Sequence, residues 1–228
     1  MTFATSATAC VAGFASLFIA GSAQAQVAVS ADFGTTGAGA YVIVPMERTI
    51  SGRFGVHTLS RSKDQSAGAV GYDTKARLRT ADILFDWFAF DNSAVRFTAG
   101  VVYNGNKLEA AGRPDASGNY TINNNSYTAA DVGTLNGLIE FRRAAPYFGV
   151  GWGNPLAEGK KKWHVVGEVG VFMQGPKKVK LVSLGCTTSQ TLCKKLASDV
   201  AAERANFAQQ IEFDRMYPVA RVGMAYRF

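Results

Sequence analysis

Eleven ionisable residues recur on one parity of alternating segments: Asp32, Arg53, His57, Asp82, Asp86, Arg96, Glu140, Arg142, His164, Glu168 and Arg221. If those segments are strands, the residues face a common interior. Acids and bases held together away from water must neutralise one another; where a path remains between them, they set its ion preference. Asp86 with Arg96, and Glu168 with Arg221, are the expected pairs. Catalytic chemistry finds little here. Asp82 and Asp86 stand at i, i+4 on one strand face, roughly 13 Å apart, too far for a glycosidase-type carboxylate pair. His57 and His164 are the only histidines, and no serine stands in a nucleophile-elbow context. The chain is therefore read as a non-enzyme with neither cofactor nor metal.

Two further side chains carry chemistry of another kind. Beyond residue 25 the cysteines are Cys186 and Cys193, in a polar segment. An even count in an oxidising compartment favours a disulfide. With no histidine nearby, two thiolates do not complete a tetrahedral metal site.

The elements that position these residues are strands with a period of two. Leu78 to Phe90 turns Ala81, Ile83, Phe85 and Trp87 one way and Asp82, Leu84 and Asp86 the other. After the turn residues Asp91-Asn92-Ser93, the next segment presents Val95, Phe97, Ala99, Val101 and Tyr103 on one face and Arg96, Thr98, Gly100 and Asn104 on the other. An apolar face beside a polar one, with short turns alternating with long loops, is the rhythm of a membrane-spanning β-barrel. Applied throughout, it predicts eight strands, over 27–34, 38–46, 51–61, 76–90, 94–106, 137–153, 162–175 and 215–228. Only Gly34-Thr35-Thr36-Gly37 divides the first two. The sixth changes phase, with Ile139 and Phe141 on one parity and Phe148, Val150 and Trp152 on the other, which suggests a bulge at Ala144-Ala145-Pro146. An even count places both termini on the periplasmic side. The fold class expected is all-β: an eight-stranded antiparallel transmembrane β-barrel with short periplasmic turns and long external loops at 109–137 and 176–214. A helix is expected over 196–211, after the cysteine bridge, with Leu196, Val200, Ala201, Phe207 and Ile211 on one face.

The ends agree with export. Residues 10–20 form an apolar stretch of signal-peptide length, and Ala23-Gln24-Ala25 is a small-x-small cleavage site, although no Lys or Arg precedes it. This divides the chain into a signal peptide, 1–25, and a barrel domain, 26–228. The net charge of +7 falls entirely after residue 25, and for an exported protein it points to anionic outer-membrane lipid and lipopolysaccharide phosphates rather than nucleic acid. Trp87, Phe90, Trp152, Trp163, Tyr226 and Phe228 cluster at the expected periplasmic ends, as in an interfacial aromatic girdle.

The last strand alternates Phe228, Tyr226, Met224, Val222 and Ala220 with Arg227, Ala225, Gly223 and Arg221. It resembles the terminal signature of bacterial outer-membrane β-barrels, which implies Tyr226 and Phe228 as an assembly signal and the outer-membrane assembly machinery as a partner. From Pro146 onward the chain resembles the small-barrel family typified by the ornithine-uptake porin CarO of Gram-negative bacteria. The matching residues are Ala145-Pro146-Tyr147-Phe148-Gly149-Val150-Gly151-Trp152, Gly167 to Phe172, Gln174 to Leu181, and Tyr217-Pro218-Val219 to the end. Gly34 to Gly37 and Tyr103 to Lys107 are also similar to the wider family. The resemblance implies an outer-membrane location and passage of small solutes, including basic amino acids. Two functions follow from these readings. One is passive passage of small solutes along the charged lumen; the other is a non-conducting structural or surface-binding barrel that works through its external loops. Eight strands leave an interior barely wide enough for its own side chains, which leans towards the second.

Overall fold

A computed structural model describes residues 26–67, 70–90, 93–157, 159, 161–210 and 214–228. The expected signal peptide, and Asp91 and Asn92 of the expected turn, lie outside the described residues. In chain order the elements are β1 (Ala28–Gly34), β2 (Gly37–Glu47), β3 (Ile50–Ala67), β4 (Val70–Phe88), β5 (Val95–Asn104), β6 (Lys107–Arg113), β7 (Asn119–Ile122) and β8 (Asn125–Thr128). They continue as α1 (Ala129–Val132), β9 (Thr134–Glu140), β10 (Ala144–Trp152), β11 (Trp163–Met173), β12 (Lys178–Leu184), α2 (Gln190–Gln210) and β13 (Met216–Arg227). Eight strands close into an antiparallel ring in the order β1, β2, β3, β4, β5, β10, β11, β13, with β13 returning to β1. A closed ring leaves no open sheet edge, which lets strands cross a bilayer with every backbone group paired.

Alternation holds around the ring. Ile83, Phe85, Trp87, Phe97, Val101, Phe148, Val150, Val169, Val222 and Met224 stand exposed on the outside, and Leu84, Val102, Tyr147 and Ala225 are buried inside. One rim carries the chain's described start and end and the Arg48-Thr49 turn between β2 and β3. It also carries the aromatic cluster: Trp87, Phe90, Trp152, Trp163 and Phe228 are exposed there, and Tyr226 packs edge-on against Trp163 and Phe228 at 4.9 and 5.2 Å. The first hairpin is two strands. Thr35 and Thr36 make its turn, and Gly37, at a φ of 98°, allows the sharp reversal.

Three strand expectations are corrected. Predicted strand 137–153 is two elements: β9 lies outside the ring, β10 within it, and the phase change is the break at 141–143 rather than a bulge. Pro146 pairs with Val101 of β5, just before the pairing of β10 with β11 begins at Tyr147, where a missing N–H is tolerated. β3 and β4 run well past their predicted ends and form one long hairpin above the ring. The long loop at 109–137 is built of short strands and a helical turn, and 176–214 adds β12 ahead of the expected helix. β4 pairs with β5 through Thr80–Phe88 and with β6 through Gly71–Arg77, and β6, β9 and β12 carry the sheet onward.

The lumen-facing side of β4 continues upward as Thr74 and Tyr72, which turn into a second core. That core joins Tyr72, Tyr120, Ile122, Leu135, Ile139 and Leu196, contributed by the sheet, the β7–β8 hairpin and α2. The cap thus lies over the same sheet face that lines the lumen below. The helix begins six residues before the predicted start, so Cys193 lies inside its first turn, bridged to Cys186 with Cα atoms 6.0 Å apart. Leu196 and Val200 are buried as expected, whereas Ala201 is exposed. Ile211 lies outside the described residues. Among the described residues no helix is long and apolar enough to cross a membrane.

Candidate functional site

The lumen is occupied by a continuous polar network at mid-height. Arg53 on β3 extends Nε to within 2.7 Å of the Asp86 carboxylate on β4 and donates from Nη2 to Glu168 on β11. Glu168 is shared. Arg96 Nη2 on β5 lies 3.4 Å from it, Arg221 Nη1 on β13 lies 3.5 Å from it, and the Tyr147 hydroxyl on β10 donates to it at 2.6 Å. Arg221 also pairs with Asp82 at 2.9 Å, donates from Nε to Thr36 Oγ1 at 3.0 Å, and donates to the Tyr41 hydroxyl, which in turn donates to Asp82 at 2.5 Å. Thr98 closes the other side, donating to Asp86 at 2.7 Å. His57 lies between two acids, with Nε2 2.7 Å from Asp32 and Nδ1 3.4 Å from Asp82. Its hydrogen bond is the one to Asp32; Nδ1 faces Asp82 without bonding it. The network at mid-height thus sets Arg53, Arg96, Arg221 and His57 among Asp32, Asp82, Asp86 and Glu168.

The two pairs expected from sequence are present, Arg96 with Asp86 at 3.4 Å and Arg221 with Glu168 at 3.5 Å. They are not the shortest contacts, because Arg53 reaches both acids more closely. Asp32, Arg53, His57, Asp82, Asp86, Arg96, Glu168 and Arg221 are thus brought together inside the ring. Glu140, Arg142 and His164 are not. Glu140 lies on β9, outside the ring, between Lys107 and Lys180 at 3.4 and 3.2 Å; those lysines, Lys180 foremost, hold its carboxyl below the usual range. Arg142 is exposed in the break between β9 and β10. His164 is half-buried near the terminal rim, with Nε2 3.2 Å from the Lys161 carbonyl. Glu140 and Arg142 follow from extending one strand's parity across the break at 141–143, and His164 from its parity at the rim end of β11.

Tyr41 and Tyr147 were missed, although both stand on inward parities. The signal available was glycine. A Cβ at Gly170 or Gly149 would fall 2.3 or 2.6 Å from the Tyr147 hydroxyl oxygen, and one at Gly151 would fall 2.6 Å from the Arg96 guanidinium carbon. Those positions are kept bare so that large polar side chains can lie flat across a narrow bore.

The space left is small. A cavity of about 20 Å³, bounded by Asp32, Tyr41, Arg53, Arg96, Glu168 and Arg221, remains in the network, room for about one water molecule. Below it the turn residues 153–157 form a floor. Pro155 is buried, Leu156 packs on the lower core, and Arg96 donates to the Trp152 and Gly153 carbonyls at 3.1 and 2.8 Å. Arg227 holds the same turn through the carbonyls of Ala157, Gly159 and Lys161. Above, the cap has its own polar junction: Asp199 on α2 accepts from the Tyr127 hydroxyl and from the Asn123 and Asn125 amides at 3.0 and 2.9 Å.

No protein-family model matches the chain, and no curated protein matches it. Solved structures do. The Acinetobacter baumannii CarO structure has 26% sequence identity and a TM-score of 0.53, covering 89% of this chain and 98% of that one. Acinetobacter baumannii CarO2 has 22% identity and the same TM-score, covering 90% and 99%. A major outer membrane protein from Thermus thermophilus shows 16% identity and a TM-score of 0.46 over 90% and 100%. The chain has the fold of a CarO-type outer-membrane β-barrel.

Proposed function

We propose that this outer-membrane barrel is closed to solutes at rest and works through its structured external cap. The observation that carries this reading is the network that fills the lumen at mid-height, where the void among its side chains is about 20 Å³, too small for glycine. The closed ring then serves as an anchor that presents the cap, whose separate core and disulfide hold it in one shape. Basic amino acids gain no resting advantage from the lumen field, because Asp82, Asp86 and Glu168 each already face an arginine and Asp32 is engaged by His57.

One observation favours a restricted passage. Glu168 lies within reach of all three lumen arginines, so pairs can exchange partners without leaving a charge bare, which a gated pathway for small solutes requires. Liposomes carrying the refolded barrel separate the two readings. The closed barrel gives arginine, glycine and glutamate entry equal to that of empty liposomes. Arginine entry above that level, lost on Asp86→Asn or Glu168→Gln, would establish passage instead.

A further inference from the structure

The outward face of β4 changes character in one step. Trp87, Phe85, Ile83 and Ala81 face outward along the lipid band, and the same face then continues as Arg79, Arg77 and Lys75. Register spreads this change sideways. Arg77 lies beside Lys107, Lys107 beside Glu140, and Glu140 beside Lys178. The next row up holds Lys75, Glu109, Leu138 and Lys180. With Arg79 below them, these rows carry six cations against two carboxylates. Arg77 pairs with Glu109 at 3.1 Å, and Glu140 is spanned by Lys107 and Lys180, so the strip keeps an excess of four positive charges. On its other side, exposed Thr58, Ser60 and Ser62 pair in register with Arg79, Arg77 and Lys75. The outer face therefore sets a ladder of hydroxyls beside a ladder of cations.

Two facts say what covers this strip. It is continuous with the lipid-facing surface on a single strand, and Arg79 to Lys75 spans only about 13 Å above it. That is the depth at which acyl chains give way to headgroups. Its chemistry, excess guanidinium and ammonium groups beside hydroxyl donors, matches phosphate and sugar oxygens. We propose that the strip centred on Arg79, Arg77 and Lys107 binds the phosphorylated headgroup of an outer-leaflet lipid.

The test titrates the refolded chain in detergent with fluorescent lipopolysaccharide. The triple variant Arg77→Gln/Arg79→Gln/Lys107→Gln is compared with Lys194→Gln/Lys195→Gln, which removes two exposed cations from α2. At roughly one decade per one to two cations near a charged lipid surface, the triple variant loses on the order of a hundredfold in affinity. The α2 variant loses less than a few-fold, and dephosphorylated lipid binds the unaltered chain as weakly as intact lipid binds the triple variant. Heat-shifted gel mobility checks that the variants are folded; if the triple variant fails that check, Arg79→Gln alone, with a loss of about fivefold, is read. Unchanged binding by the triple variant, equal loss in the α2 variant, tight binding of dephosphorylated lipid, or displacement of the lipid by inorganic phosphate would each overturn the proposal.

Discussion

Glu168 accepts from the Tyr147 hydroxyl and lies between Arg53, Arg96 and Arg221, with almost no exposed surface. Burying such a group costs more than a single Coulombic contact returns, so its place depends on the whole set of partners. Removing its charge leaves three guanidiniums to share Asp86 and Asp82, one cation in excess, in a water-poor bore. Glu168→Gln is expected to destabilise the barrel by about 3–5 kcal/mol, the usual cost of breaking a buried ion pair, read as a lower urea midpoint for loss of heat-shifted mobility. Adding Arg53→Met should recover part of that loss, because it removes the stranded cation as well. The charged residues of this network were legible from alternation, whereas its tyrosines, Tyr41 and Tyr147, were not. Its pairing was legible only in part, since Arg53 reaches Asp86 and Glu168 from different strands and such geometry has no signal along the chain.

The β7–β8 hairpin and α2 show why the outer elements were harder to read. The strands of the ring declare themselves through lipid on one side and charge on the other. β7 and β8 are four residues each, too short for alternation to stand out from a loop rich in Asn and Gly. The turn is nevertheless specified: Asn123 and Asn124 adopt φ of 49° and 62°, the left-handed pair a tight hairpin requires. The break at 141–143 was misread for a related reason, because β9 and β10 each alternate and differ only in phase. Docking of hairpin on helix uses Glu203, which accepts from the Asn123 N–H at 3.0 Å, and, with three side-chain donors, Asp199. The Tyr127 hydroxyl first, then the Asn123 amide, hold its carboxyl below the ordinary Asp value of 3.8, against a smaller upward push from burial. Burial and then that carboxylate push the Tyr127 phenol up to about 12. A depressed acid contributes fully above its unfolded value and loses its contribution as pH falls through the folded one. Hydrogen exchange over 119–128 should therefore accelerate as pH falls below about 4, while the ring strands stay protected. Asp199→Asn should show faster exchange at neutral pH and no further acid step. An identical acid step in that variant would place the docking charge elsewhere.

At the scale of the molecule, three layers lie along one axis: a cap with its own core, a ring filled by paired charges, and a floor pinned by Arg96 and Arg227. Each layer uses chemistry suited to its surroundings, with apolar packing where water is excluded by the cap, ion pairs where the bore leaves room for about one water molecule, and carbonyl capture where the chain turns back. The eight-stranded architecture was legible because a lipid face and a polar lumen impose opposite demands on alternate residues. Beyond its helix and disulfide the cap was not, because its sheet grows sideways from one long strand, β4: the switch of its outward face from Ala81 to Arg79 marks the end of the lipid band but does not say which strand becomes the new partner. The claim that joins the layers is that side chains, not a constricted backbone, close the lumen. Single-barrel conductance in planar bilayers tests it most directly, comparing the unaltered chain with Arg53→Ala/Arg96→Ala, which empties the centre of the network. The account predicts no resolved conductance for the unaltered barrel and discrete open steps for the variant. Steady open steps from the unaltered barrel would contradict it.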